Sequence, residues 1–81
     1  MEKIRVLPKG KQPKIRICFD IDGTLITEEH DPKPRYDIIN LLRWFKNNGH
    51  TVFVWSGGGV DYAEMWVRKL GLDVKVLPKD R

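Results

Sequence analysis

The stretch Ile17-Cys18-Phe19-Asp20-Ile21-Asp22-Gly23-Thr24-Leu25 decides the fold of this chain. An apolar run that ends in two carboxylates predicts a buried strand that carries acids to the edge of a sheet, and we place this strand at 15–20. Ligands bind at the carboxyl ends of strands in open parallel sheets, so Asp20 and Asp22 stand where a ligand would bind. The same pattern is also typical of a strand that enters a polar turn.

The chemistry of these two acids suits phosphate esters. The carboxylate of Asp20 can attack phosphorus and form an aspartyl phosphate, which divides one difficult hydrolysis into two easier steps. Asp22 can protonate the leaving oxygen and then accept a proton from water. Two acids that face a phosphate need a cation, and Mg²⁺ suits oxygen ligands best. We therefore predict catalytic roles for both residues and a Mg²⁺ cofactor.

The full motif Asp-x-Asp-Gly-Thr-Leu resembles the first signature of the haloacid dehalogenase-like (HAD) superfamily of phosphohydrolases. The resemblance covers residues 15–79 and implies a minimal Rossmann-like α/β core, with a parallel sheet of about three strands and two helices. It also implies that Asp20 and the main-chain carbonyl of Asp22 bind the metal. Gly23 permits an unusual backbone angle, and Thr24 offers a hydroxyl to the turn and to the substrate phosphate.

A second apolar run, Thr51-Val52-Phe53-Val54-Trp55, ends in Ser56 and three glycines. Its continuous hydrophobicity predicts a parallel strand that is covered on both faces. A strand-helix-strand crossover would bring Ser56 to the same sheet edge as Asp20. This arrangement is similar to the second motif of the HAD superfamily, which implies that Ser56 and Gly57 bind the transferring phosphoryl group.

Lys79 stands where the third HAD motif would supply a cation, although a basic terminus explains it equally well. The fourth motif, an acidic pair after a further strand, has no room in this sequence, and Asp80 is the acid left to replace it. Two alternatives stay open. The chain is either a cut-down member of the superfamily or a core whose site is completed from elsewhere.

Helical spacing of apolar residues predicts two helices. The first spans 35–48, between Pro34 and Gly49, and leaves Trp44 off its apolar stripe, which consists of Ile38, Leu41, Leu42 and Phe45. For the second, Asp61 and Glu64 fit a capping box and Gly71 fits the end. Its predicted apolar stripe consists of Tyr62, Met65, Trp66 and Leu70. A last strand is predicted at 74–77, and Ile4, Val6 and Leu7 fit a short edge strand.

The loop at 21–34 is too short for the cap domain that the superfamily inserts there, so we expect an open site that admits small or macromolecular phosphates. His30 lies between Glu29 and Asp31, but adjacent loop residues rarely face one ion, so a metal site there is disfavoured. Cys18, the single cysteine, is more typical of a buried strand residue than of a reactive thiol.

Composition and charge bear on the location of the protein in the cell and on whether it binds nucleic acid. The chain has 81 residues and a net charge of +4, with a basic arm at 1–14 preceding the core at 15–81. Without a membrane-spanning run or an apolar signal segment, we expect a cytoplasmic protein. The arm could contact nucleic acid, but no aromatic residues interleave with its charges, so a solvated segment is favoured.

Topology predicts one further surface. Two right-handed crossovers would place both helices on one face of the sheet and leave an apolar face bare, so we expect a partner or a second copy to cover it. Two functions compete with a phosphatase: a non-catalytic phosphate-binding or regulatory module, and a protein that processes or binds nucleic-acid ends.

Overall fold

The computed structural model describes residues 4–7 and 14–79. They form a small α/β fold with a four-stranded mixed sheet and two helices, as the sequence predicted at the level of fold class. The strands are β1 (Ile4–Leu7), β2 (Arg16–Asp20), β3 (Thr51–Trp55) and β4 (Lys75–Val76), and the helices are α1 (Tyr36–Asn47) and α2 (Val60–Lys69). None of the described helices is long and apolar enough to cross a membrane.

The strand order is β1-β2-β3-β4. Strands β2, β3 and β4 are parallel, while β1 pairs with β2 in the antiparallel direction. The short edge strand predicted near the amino end is thereby confirmed, and the last strand is shorter than predicted. In the register of β2 and β3, Asp20 is opposite Trp55, so Asp20 and Ser56 reach the same edge of the sheet.

The core lies between the helices and one face of the sheet. Alternate residues of the central strands point into this core, and both helices pack against these residues. The buried strand residues of the core are Ile17, Phe19, Val52 and Val54. Burying an aliphatic or aromatic side chain of this size contributes about 1.5–3 kcal/mol relative to an exposed position. This face therefore holds the two helices and the ends of β2 and β3 in fixed positions.

Helix α1 buries a slightly different stripe from the predicted one. Ile38, Ile39 and Leu42 are buried, whereas Leu41 is 40% exposed, so the prediction for Leu41 was wrong. The helix is rotated so that Ile39 rather than Leu41 faces the sheet. Trp44 is 54% exposed, in agreement with its predicted place off the stripe.

Helix α2 begins without a side-chain cap, so the predicted capping box of Asp61 and Glu64 was wrong. Its amino-terminal cap is Gly59, whose φ of 106° is a conformation that suits glycine. Asp61 instead lies in the first turn, where its charge favours the helix dipole. Met65 is 38% exposed, and the buried residues of the helix are Ala63, Trp66 and Val67.

The second face of the sheet carries Cys18 and Phe53, both buried and outside the helix-facing core. The guanidinium of Arg16 lies 5.2 Å from the centre of the Phe53 ring, a cation–π distance. Burial of Cys18 confirms its structural assignment. Because Cys18 and Phe53 are both buried within the single chain, the expectation that this face is bare was wrong at these two positions. Binding of a second chain stays a prediction, and much of the basic arm, together with Asp80, lies outside the described residues.

Candidate active site

A cleft of about 200 Å³ lies at the carboxyl ends of the parallel strands. Its lining brings together residues from both strand ends, from the loop after β2 and from the segment after β4: Asp20, Asp22, Glu28, Ser56, Gly57 and Lys79. Five of these were selected from the sequence. A larger cavity of about 300 Å³ lies at the opposite end of the strands, beside Thr51, but the three carboxylates of the cleft are absent from its described lining.

Asp20 and Lys79 form an ion pair at this cleft. The Nζ atom of Lys79 lies 2.9 Å from Oδ1 and 3.2 Å from Oδ2 of Asp20. Asp20 is only 4% exposed, and a buried carboxylate requires such a partner. The N–H of Leu77 donates to the carbonyl of Val54 over 2.9 Å, which fixes the segment that carries Lys79.

Asp22 is exposed and follows the end of β2. The hydroxyl of Tyr62 donates to Oδ1 of Asp22 over 2.7 Å, across 40 positions of sequence. Burial raises the pKa of Tyr62, and the hydrogen bond to Asp22 raises it further, so the phenol keeps its proton at neutral pH. This contact was not predicted, because Tyr62 also fits the apolar stripe of α2.

The loop after β2 is closed by backbone hydrogen bonds. Gly23 has a φ of 77°, and its N–H donates to the carbonyl of Ile26 over 2.9 Å. Arg35, at the amino-terminal cap of α1, donates from Nη1 to the carbonyl of Gly23 over 3.2 Å. Thr24 is fully buried and lies outside the described lining of the cleft, so it is not among the predicted phosphate-binding residues that the structure brings to the cleft.

Glu28 is a second residue that sequence analysis missed. Its side chain lies over the loop so closely that a Cβ added to Gly23 would meet Oε1 of Glu28 at 2.9 Å. The absence of a side chain at Gly23 is therefore what lets a third carboxylate reach the cleft. Its place in a polar loop gave no signal that distinguished it from Glu29.

Ser56 directly follows β3 and is 4% exposed. Its Oγ accepts a hydrogen bond from the N–H of Gly58 over 3.0 Å, which fixes the turn that leads into α2. Gly57 is exposed at the cleft. The positive end of the dipole of α2 follows directly, and such an end favours anions.

Cys18 lies on β2 two residues before Asp20. Burial raises the pKa of the Cys18 thiol to about 12, and the negative charge of Asp20 adds to the effect. The thiol therefore stays protonated at neutral pH. Of the residues of β2, Asp20 is the one that lines the cleft.

The cleft has oxygen donors of the kind that Mg²⁺ binds. It is lined by three carboxylate residues, and Mg²⁺ prefers oxygen ligands, commonly one or two carboxylates together with water and substrate phosphate. Across residues 4–7 and 14–79, no three His, Cys, Asp or Glu side chains group closely enough to hold a metal by themselves. That finding includes His30 with its acidic neighbours. The donor chemistry fits Mg²⁺ bound together with a substrate.

Comparison with known proteins identifies a family but no activity. A family model described as "Protein of unknown function (DUF705)" matches residues 3–78. No curated protein and no solved structure matches the chain. Because the family match spans nearly the whole sequence, this protein belongs to the DUF705 family.

Proposed function

We propose that this protein is a phosphomonoester hydrolase with a minimal Rossmann-like core of the HAD type. The observation that carries the proposal is the buried carboxylate of Asp20, paired with Lys79 in a cleft that Asp22 and Ser56 also line. A carboxylate that is desolvated, fixed by a cation and placed at a strand end is suited to nucleophilic attack. Lys79 also supplies a positive charge that offsets the negative charge of an incoming phosphate.

In the first step, an oxygen of Asp20 forms a bond to phosphorus while the bond from phosphorus to the leaving oxygen breaks. Asp22 gives its proton to that oxygen. In the second step, the oxygen of a water molecule bonds to phosphorus, Asp22 takes the proton from water, and the bond to Asp20 breaks. Inorganic phosphate is released and both acids return to their starting states. Ser56 and Gly57 hold the phosphoryl oxygens throughout.

Charge in the cleft explains why a cofactor is part of the proposal. Three carboxylates face a single ammonium among the residues that line it, so a phosphate dianion would meet net repulsion. Mg²⁺ would be held by the carboxylate of Asp20 and the main-chain carbonyl of Asp22. When bound, it supplies the positive charge that brings the anionic substrate into the cleft.

The substrate of the proposed enzyme is a phosphate monoester, small or macromolecular, because Asp22 and Gly57 are both exposed at the cleft. We place the reaction in the cytoplasm, where a single unpaired cysteine is ordinary.

The test is hydrolysis of a generic aryl phosphate by the purified chain, with and without Mg²⁺. We expect Mg²⁺-dependent turnover, and we expect Asp20→Asn to reduce it by at least about a thousandfold, since it removes the nucleophile. Circular dichroism of the variant checks that the fold is retained. Full activity in a folded Asp20→Asn variant would refute the assignment.

A non-catalytic phosphate-binding module is the second candidate. The observation that favours it is that the described residues form no group of three metal-ligating side chains. It predicts that inorganic phosphate binds in calorimetry while no ester is hydrolysed. Binding of nucleic-acid ends is less favoured, because no aromatic residues interleave with the basic residues of the arm, and it predicts affinity that falls steeply with salt.

A further inference from the structure

Tyr62 reaches from the first turns of α2 to the loop after β2. Its hydroxyl lies 2.7 Å from Oδ1 of Asp22, a short hydrogen bond between an O–H donor and a carboxylate. An exposed carboxylate without such a partner samples several side-chain rotamers. The contact with Tyr62 therefore restricts the orientation of Asp22 at the edge of the cleft.

The ring of Tyr62 is fixed by its surroundings. It packs against the core, and a Cβ added to Gly58 would lie only 3.1 Å from its Cδ2 atom, tighter than an ordinary contact. The same Gly58 donates its N–H to Oγ of Ser56. The turn that shapes the phosphate-binding end of β3 thus also sets the position of the phenol.

We propose that Tyr62 is a positioning residue for proton transfer by Asp22. The phenol occupies Oδ1, which leaves Oδ2 to carry the proton that passes to the leaving oxygen and is later regained from water. Tyr62 donates the same hydrogen bond in both steps and gives up no proton itself. This inference rests on the proposed function, and it adds a residue that acts through Asp22 without contacting the phosphoryl group.

The leaving group provides a readout that separates positioning from a structural role. A strongly basic leaving oxygen needs a proton as its bond to phosphorus breaks, whereas a weakly basic one departs without it. Loss of a correctly oriented Asp22 therefore slows phenyl phosphate much more than 2,4-dinitrophenyl phosphate. Damage to the cleft as a whole would slow both substrates equally.

The experiment compares kcat/KM for these two esters in the wild type, Tyr62→Phe, Asp22→Asn and a matched control, Tyr36→Phe. This parameter covers the steps up to departure of the leaving group and excludes hydrolysis of the aspartyl phosphate, which both esters share. The control removes a hydroxyl from a tyrosine that is 60% exposed at the start of α1. For Tyr62→Phe we expect this rate parameter to fall by about tenfold with phenyl phosphate and by less than about twofold with the dinitrophenyl ester. The tenfold loss is a fraction of the roughly 10²–10⁴-fold that is typical of general acid catalysis. Tyr36→Phe should match the wild type with both.

A second variant, Gly58→Ala, tests the same contact without altering the hydroxyl. We expect its added methyl group to displace the Tyr62 ring and to slow phenyl phosphate selectively, since the position has no positive φ that would strain alanine. If Tyr62→Phe slows the hydrolysis of both esters equally, or of neither, the positioning role is refuted while the proposed function stands. If the wild type hydrolyses neither ester, the proposed function fails and this inference fails with it.

Discussion

Replacing Lys79 by methionine would leave the charge of Asp20 buried without its partner. At about 3 Å and an effective dielectric constant of about 20, two unit charges attract by about 5 kcal/mol, and desolvation offsets part of this. Removing one member of a buried pair usually costs about 3–5 kcal/mol. The Lys79 side chain is 24% exposed, so water can partly replace it, and we expect a loss of about 2–3 kcal/mol.

Thermal and urea unfolding followed by circular dichroism measure this loss. For a domain of this size, about 2–3 kcal/mol lowers Tm by roughly 10–20 °C. The matched control is Lys33→Met, since the Nζ atom of Lys33 lies 3.7 Å from Glu29 but the side chain is 65% exposed. That control should change stability by less than about 0.5 kcal/mol.

A double-mutant cycle then isolates the charge. In the Asp20→Asn background, Lys79→Met should cost less than about 1 kcal/mol, because no buried anion is left unpaired. The reasoning is refuted if Lys79→Met lowers the free energy of unfolding by no more than Lys33→Met does. It is also refuted if its cost is the same in both backgrounds, since packing of the lysine stem would then explain the loss.

Two further predictions concern the loop and strand that present the acids. Gly23→Ala should destabilise the protein by about 1–3 kcal/mol, because φ is 77° and the new Cβ would meet Glu28 at 2.9 Å. Gly57→Ala is the stability control, since a Cβ added there has no neighbour within 4 Å. Equal unfolding free energies for the two variants would contradict the prediction. The pKa of Cys18 is raised to about 12, so a thiol-specific disulfide reagent at pH 8 should leave it unmodified until guanidinium unfolds the chain. Rapid labelling of the native protein would contradict this prediction, because it would show that the thiol is accessible.

Local patterns predicted most of the secondary structure. The continuous apolar runs at 15–20 and 51–55 became parallel strands, since such segments bury both faces in an α/β sheet. The helical periods placed α1 and α2 within a residue or two at most ends. The rotation of each helix was less predictable, because Leu41 and Ile39 are equally apolar and only packing against the sheet selects between them.

The candidate site was predictable where it depends on strand ends. Asp20 ends one apolar strand and Ser56 follows the next, and a parallel register is sufficient to bring them to one edge. The capping box failed for the opposite reason. Asp61 and Glu64 match its spacing, but the three glycines before α2 let the chain enter the helix one residue beyond Gly59 without a side-chain cap.

The sequence by itself determined the strands, the helices and the presence of two acids at a sheet edge, because these follow from hydrophobic period and backbone preference over short windows. Only the tertiary structure decided which distant side chains pair with these two acids. Lys79 pairs with Asp20 across 59 positions and Tyr62 with Asp22 across 40. Such contacts depend on strand order and crossover geometry. Lys79 was assigned to the site only because its position resembles the third HAD motif, and a tyrosine on a helix has no local feature that reveals its partner.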